Sequence, residues 1–178
     1  MRIKTIFEKK TGKILGAQIV GHDGVDKRCD VLATAIRAGM TAYDLTKLEL
    51  CYAPPYGSAK DPMNIVGFAI ENVLKGKVKN FHWHDLETLP HDGSVTLLDI
   101  RTAQENENGH LDGFINIPLD SLRERLAELD KEKPIYETCM VGARGYTAAR
   151  ILMQNGFDTY NFNGGYLHYC SIFPSRAK

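Results

Sequence analysis

The chain has 178 residues, 43% of them hydrophobic and 25% charged, with 22 Lys and Arg balancing 22 Asp and Glu. That length suits one large domain or two small ones, and the composition is that of a folded globular chain. Zero formal net charge argues against a general nucleic-acid or anionic-membrane binder, and no apolar run approaches the ~20 residues of a membrane helix. Lys4, Glu8, Lys9, Lys10 and Lys13 break up the first segment, so no signal peptide is read there and the cytoplasm is the expected compartment. Cys29, Cys51, Cys139 and Cys170 are scattered and form no C-x-x-C pair. Neither a disulfide framework nor a metal site is expected.

Ile3 to Phe7 and Ile14 to Val20 are β-like runs around a polar turn, the pattern of a hairpin with a longer loop. Val31, Leu32, Ala35 and Ile36 give a helical face from Val25, stopped at Gly39. Thr41 caps a short helix through Leu48, with Asp44 at the third position of a capping box. Cys51-Tyr52-Ala53-Pro54-Pro55-Tyr56 must be an extended loop, since two prolines remove two backbone donors. Asp61 caps the helix that begins at Pro62, with Ile65, Phe68, Ala69 and Val73 as the expected buried stripe and Gly76 as its end. Cys29 and Cys51 are expected to be packing cysteines.

Lys75 to Asn80 reads as a linker. Beyond it, strands are expected at Val95 to Ile100, Ile115 to Ile117, Pro134 to Thr138 and Thr159 to Phe162. Helices are expected at Ser121 to Leu129, with Leu122, Leu126 and Leu129 on one face, and at Arg144 to Asn155. Alternating strands and helices imply a mostly parallel sheet covered by helices on both faces. The organisation is therefore a small α+β unit over 1–76 and an α/β unit over 81–178.

The chemistry should sit at Cys139-Met140-Val141-Gly142-Ala143-Arg144-Gly145, where a strand ends in a cysteine and a helix follows a short loop. Ligands of open α/β sheets lie beyond the carboxyl ends of strands. The amides of such a loop and the helix N-terminus form an anion cradle, and their field is expected to favour the Cys139 thiolate. Arg144 adds a permanent cation.

Asp99-Ile100-Arg101, Gly109-His110-Leu111-Asp112-Gly113, Asn116-Ile117-Pro118, Cys139-x4-Arg144 and Gly164-Gly165-Tyr166 occur in the order and spacing of a rhodanese domain, which the chain resembles from about Trp83 to its end. The loop from Cys139 to Arg144 has the family's length, one residue shorter than that of the related phosphatases. The resemblance implies sulfur transfer: Cys139 takes a sulfane sulfur as a persulfide and passes it to a nucleophilic acceptor. Met140 and Val141 are apolar where thiosulfate-preferring members carry a basic residue. A thiol persulfide, polysulfide or protein donor is therefore expected over thiosulfate. Asp99 and Arg101 match the family's Asp-x-Arg and are expected to support the site as a buried ion pair tied to the Gly109–Gly113 turn. His110 is expected to be structural. Asn106 stands where an aromatic is usual, and Phe114 where alanine is usual.

Lys13-Ile14-Leu15-Gly16-Ala17-Gln18-Ile19-Val20-Gly21 and the elements after it, over Arg2 to Gly76, resemble the dimerisation domain of pyridine nucleotide-disulfide oxidoreductases. Tyr52-Ala53-Pro54-Pro55-Tyr56 narrows this to the coenzyme A-disulfide and coenzyme A-persulfide reductases, some of which carry a rhodanese domain. The resemblance implies a homodimer and the tail of a longer enzyme. No G-x-G-x-x-G fingerprint is present, so FAD, NAD and coenzyme A are expected only in a full-length reductase. Tyr52 and Tyr56 have two readings, as core or interface aromatics and as contacts to coenzyme A. A rival to the sulfurtransferase reading is a non-catalytic dimerisation and coenzyme A-contacting tail.

Overall fold

The computed structural model describes residues 1–174. The chain divides into two compact units, Met1–Lys77 and a second beginning at Val78. The first opens with an antiparallel hairpin of β1 (Arg2–Phe7) and β2 (Ile14–Val20), with a register shift between Ile6 and Phe7. Helix α1 (Val25–Arg37) follows, and Leu32 and Ala35 face the core. Thr41 and Asp44 form the expected reciprocal cap of α2, but this helix is a single turn, Ala42–Leu45. Asp61 caps α3 (Pro62–Leu74) by accepting from the Met63 amide.

The buried face of α3 differs from the expected one. Met63, Asn64, Gly67 and Ile70 are buried, whereas Ile65 is 54% exposed and Ala69 also faces solvent. The cause is Asn64, whose side-chain amide donates to the Leu45 and Leu48 carbonyls at 3.0 and 2.9 Å and so turns its own side of the helix inward. Hydrophobicity alone put the wrong face inside, because a buried polar side chain with both donors satisfied can outrank an apolar one. Cys29 and Cys51 are likewise exposed rather than packed. On α1 the inward positions are Arg28, Leu32 and Ala35, and Cys29 falls outside that stripe.

The second unit is built on a five-stranded parallel sheet in the order β3-β7-β6-β4-β5. Its strands are β3 (Lys79–Phe81), β4 (Thr96–Asp99), β5 (Ile115–Asn116), β6 (Ile135–Thr138) and β7 (Thr159–Phe162). The edge strand β3 overlaps the end of the segment read as linker, and its Lys79, Asn80 and Phe81 pair with Tyr160, Asn161 and Phe162. The helices are α4 (Ala103–Glu107), α5 (Leu119–Leu122), α6 (Ala143–Gln154) and α7 (Gly165–Ile172). The helix expected over Ser121 to Leu129 is broken: α5 ends at Leu122, and a separate 3-10 turn covers Leu126–Glu128. Leu122 and Leu129 still reach the core.

Alternating strand residues divide the core into two layers. Leu98, Ile135, Ala148, Ile151 and Leu152 pack on the α5–α6 side. Phe81, Leu97, Leu111, Phe162 and Tyr166 pack on the other. Central strand β6 is therefore covered on both faces, and Cys139 follows directly from its carboxyl end.

Candidate functional site

The Cys139 side chain is 1% exposed and sits at the mouth of a loop closed by the first turn of α6. The Gly142 amide donates to its Sγ at 2.9 Å. Burial pushes the Cys139 thiol up. The amides of Gly145, Gly142 and Val141 pull it down, and Glu137 nearby adds to the rise. The net direction corrects the sequence expectation of a favoured thiolate. The cradle is present, but removing the sulfur from water outweighs it.

Several elements hold the loop in this shape. The Tyr166 amide donates to the Cys139 carbonyl at 2.8 Å, and the Leu167 amide to the Met140 carbonyl at 3.1 Å. Both donors are amides of the first turn of α7, where backbone N–H groups point out of the helix end. The approach requires Gly165: its φ is +64°, and a Cβ there would lie 2.6 Å from the Cys139 oxygen.

Asp99 and Arg101, both essentially inaccessible, form the expected pair. Arg101 donates through Nη2 to Asp99 Oδ2 at 2.6 Å and to the Gly109 carbonyl at 2.7 Å, and its guanidinium lies 4.0 Å from the centre of the Tyr166 ring. Asn116 donates to the carbonyls of Asp99 and Arg101, each at 2.9 Å. Asn106, the departure from the usual aromatic, donates to Asp99 Oδ2 at 2.9 Å. The separate sequence motifs thus converge on one framework beneath and beside the loop. His110 is exposed, and its Nδ1 lies 3.1 Å from the Asn106 carbonyl oxygen.

Two acidic residues escaped the sequence reading. Glu105 takes both ends of the Arg144 guanidinium, Nη1 to Oε2 and Nη2 to Oε1, each at 2.7 Å. Oε2 also accepts the Thr102 amide at 2.9 Å, in a reciprocal cap of α4. Arg144 beside it holds the Glu105 carboxyl down at about 2. The T-x-x-E spacing was a visible capping signature, but nothing local pointed its carboxylate at Arg144.

Glu137 lies two residues before Cys139 and is completely buried. Neither carboxyl oxygen has a hydrogen-bond partner among the described residues, and the same is true of Asn161 Oδ1 and Thr159 Oγ1. Glu137 and Asn161 are register partners on β6 and β7. Both reach under α6: a Cβ on Gly145 would lie 2.2 Å from Asn161 Oδ1 and 3.1 Å from Glu137 Oε1. Burial, with Asp99 adding to it, pushes the Glu137 carboxyl well above the usual carboxylate range.

Of the remaining candidates, Met140 is half-buried, Val141 and Ala143 are exposed, and Gly145 is buried. Tyr52 and Tyr56 belong to the first unit, where they are 52% and 84% exposed, which overturns their reading as core aromatics. The segment bearing them is pinned at its end, since Arg28 donates to Asp61 Oδ2 through Nη2 at 2.8 Å. Among the described residues no His, Cys, Asp or Glu cluster is arranged to hold a metal ion, and no helix is long and apolar enough to cross a membrane.

Residues 82–171 match the family model of the rhodanese-like domain, and residues 1–63 match that of the pyridine nucleotide-disulphide oxidoreductase dimerisation domain. Among curated proteins, the coenzyme A disulfide reductases of Staphylococcus epidermidis and Staphylococcus aureus are 43% and 40% identical over 68 residues, 38% of this chain and 16% of theirs. Among solved structures, reduced Bacillus anthracis CoADR-RHD superposes with a TM-score of 0.94 at 51% identity, covering 98% of this chain and 31% of that one. An NAD-dependent persulfide reductase from A. fulgidus gives 0.79 at 37% identity, covering 92% of this chain and 29% of that one. The chain thus spans under a third of the length of these relatives.

Proposed function

The chain belongs to the rhodanese-like domain family, with a pyridine nucleotide-disulphide oxidoreductase dimerisation domain ahead of it, and on that premise we propose that its second unit transfers sulfane sulfur through a persulfide on Cys139. The observation that carries this reading is the Gly142 amide aimed at Cys139 Sγ, at the head of a loop whose amides can surround an anionic outer sulfur. The Cys139 thiolate attacks the outer sulfur of a donor RS–SH, the donor S–S bond breaks, and RS⁻ leaves and takes up a proton. A thiol acceptor then removes the outer sulfur and regenerates Cys139. The raised thiol makes deprotonation a real cost in the free protein, and the amide ring lowers that cost as charge moves onto the outer sulfur.

The donor class follows from the rim. Met140 and Val141 bring no charge, so thiol persulfides such as coenzyme A persulfide, or polysulfides, are the preferred donors over thiosulfate. FAD, NAD and coenzyme A chemistry is assigned to a longer reductase. Within it the exposed Tyr52 and Tyr56 would contact coenzyme A, and the first unit would form the homodimer.

Mass spectrometry of Cys139 after incubation with a persulfide donor tests the central claim. A gain of one sulfur atom at Cys139, absent in Cys139→Ser, is expected. A Cys139→Ser protein that keeps most of the transfer activity would end the mechanism.

A further inference from the structure

We propose that Glu105 sets the donor preference of the Cys139 loop by cancelling the charge of Arg144, which disfavours small dianionic donors against thiol-bound sulfane sulfur. The proposal rests on the sulfur-transfer reading above and adds to it a residue that discriminates between donors.

Arg144 is the sole cation within the Cys139–Gly145 loop. Its charge is already matched, because the Glu105 carboxylate takes the guanidinium fork to fork, Nη1 and Nη2 each at 2.7 Å. Glu105 is itself held in place by the Thr102 amide and hydroxyl at 2.9 and 3.2 Å. Its carboxyl stays ionised at any working pH. Arg101 offers no substitute, being buried and committed to Asp99 and Gly109. An arriving donor therefore meets backbone dipoles and a neutralised ion pair.

The two donor classes respond differently to that arrangement. Thiosulfate delivers its outer sulfur as the S–S bond breaks and sulfite leaves with the bonding pair. Both donor and leaving group are dianions, so they gain most from an unpaired cation and lose most beside a carboxylate. A thiol persulfide RS–SH reacts with at most one charge at the sulfur and releases RS⁻, so it depends far less on Arg144.

Glu105→Gln removes the negative charge and leaves that of Arg144 uncompensated. The cap of α4 survives, since glutamine also serves at the third position of a capping box. The ratio of kcat/KM for thiosulfate to kcat/KM for glutathione persulfide should rise by roughly tenfold, on the scale of one partly exposed charge acting on a dianion. The rise should come mainly from a lower KM for thiosulfate and should shrink at high salt. The double variant Glu105→Gln with Arg144→Gln should return the ratio towards the wild-type value. If Glu105→Gln lowers both activities by the same factor, Glu105 only braces the loop and the proposal is overturned. A raised ratio that persists in the double variant also overturns it, because the gain would not come from Arg144. If neither donor leaves a persulfide on wild-type Cys139, the sulfur-transfer reading fails as well, which the mass measurement reports separately.

Discussion

The Tyr166 backbone amide donates to the carbonyl oxygen of Cys139 at 2.8 Å, which ties the peptide of Cys139 to the start of α7. The consequence is directional. With that carbonyl committed to α7, the amides that follow remain to face Sγ, and Gly142 does so at 2.9 Å. The Gly164-Gly165-Tyr166 motif, some distance along the chain, thereby helps to hold the Cys139 loop.

Gly165→Ala tests that dependence. The new Cβ would meet the Cys139 oxygen at 2.6 Å in a residue with φ +64°. The left-handed conformation costs an L-residue about 1–2 kcal/mol before any clash is counted. We expect a lower melting temperature and a larger proportional loss of persulfide formation than of stability, read by circular dichroism melts beside transfer assays. Unchanged transfer would show that α7 does not position the loop.

Asp99→Ala should be among the most damaging single changes. It strands Arg101, 1% exposed, without the carboxylate it bonds through Nε and Nη2. Breaking a buried pair by removing one partner typically costs about 3–5 kcal/mol, whereas replacing both with apolar residues can be close to neutral. Denaturant titrations should therefore place Asp99→Ala well below Asp99→Leu with Arg101→Leu. The reverse order would mean that Arg101 matters through Gly109 and Tyr166 more than through Asp99.

The legible parts of this molecule were the local ones. A strand running into Cys139, a glycine and a helix start are contiguous, so the strand–loop–helix arrangement was readable there. The caps at Thr41 and Asp61 were equally local. Glu105 and Arg144 are 39 residues apart, and only the fold brings them together. Strand β3 has three residues and pairs on one side with β7, too short for alternation to reveal it. The inward face of α3 was misread because Asn64 carries no hydrophobic signal, yet it anchors the helix to two carbonyls. The Cys139 titration was misread because the helix-end field is visible in sequence and the depth of burial is not.

That burial has a kinetic signature. Burial holds the Cys139 thiol above its ordinary range, so the reactive thiolate becomes more abundant as pH rises beyond the value for a free cysteine. Alkylation of Cys139 by iodoacetamide, followed by peptide mass spectrometry, should climb with pH and reach half its limiting rate above the midpoint of a free thiol. A midpoint below it would mean that the amide ring outweighs burial.

Glu137 makes stability depend on pH. Its carboxyl is completely buried without a partner and is pushed well above the usual range, first by burial and then by Asp99. Asn161 Oδ1, from the register partner on β7, is likewise buried without a partner, so nothing recorded at the site offers an ionised Glu137 a donor. A raised folded-state value means that the stabilising contribution is fully present below the unfolded value and is lost as pH rises towards the folded one. Across that window the unfolded chain releases a proton that the folded chain retains, and the loss approaches about 1.4 kcal/mol per pH unit. Glu137→Gln keeps the size and a hydrogen-bond donor but has no proton to lose. The variant should therefore gain stability relative to wild type as pH rises above the unfolded value, with the two converging to a constant difference in acid. Chemical denaturation at a series of pH values measures this directly. Curves that run parallel over the whole range would mean that Glu137 is ionised and paired in the folded protein, and the neutral-acid account would be lost.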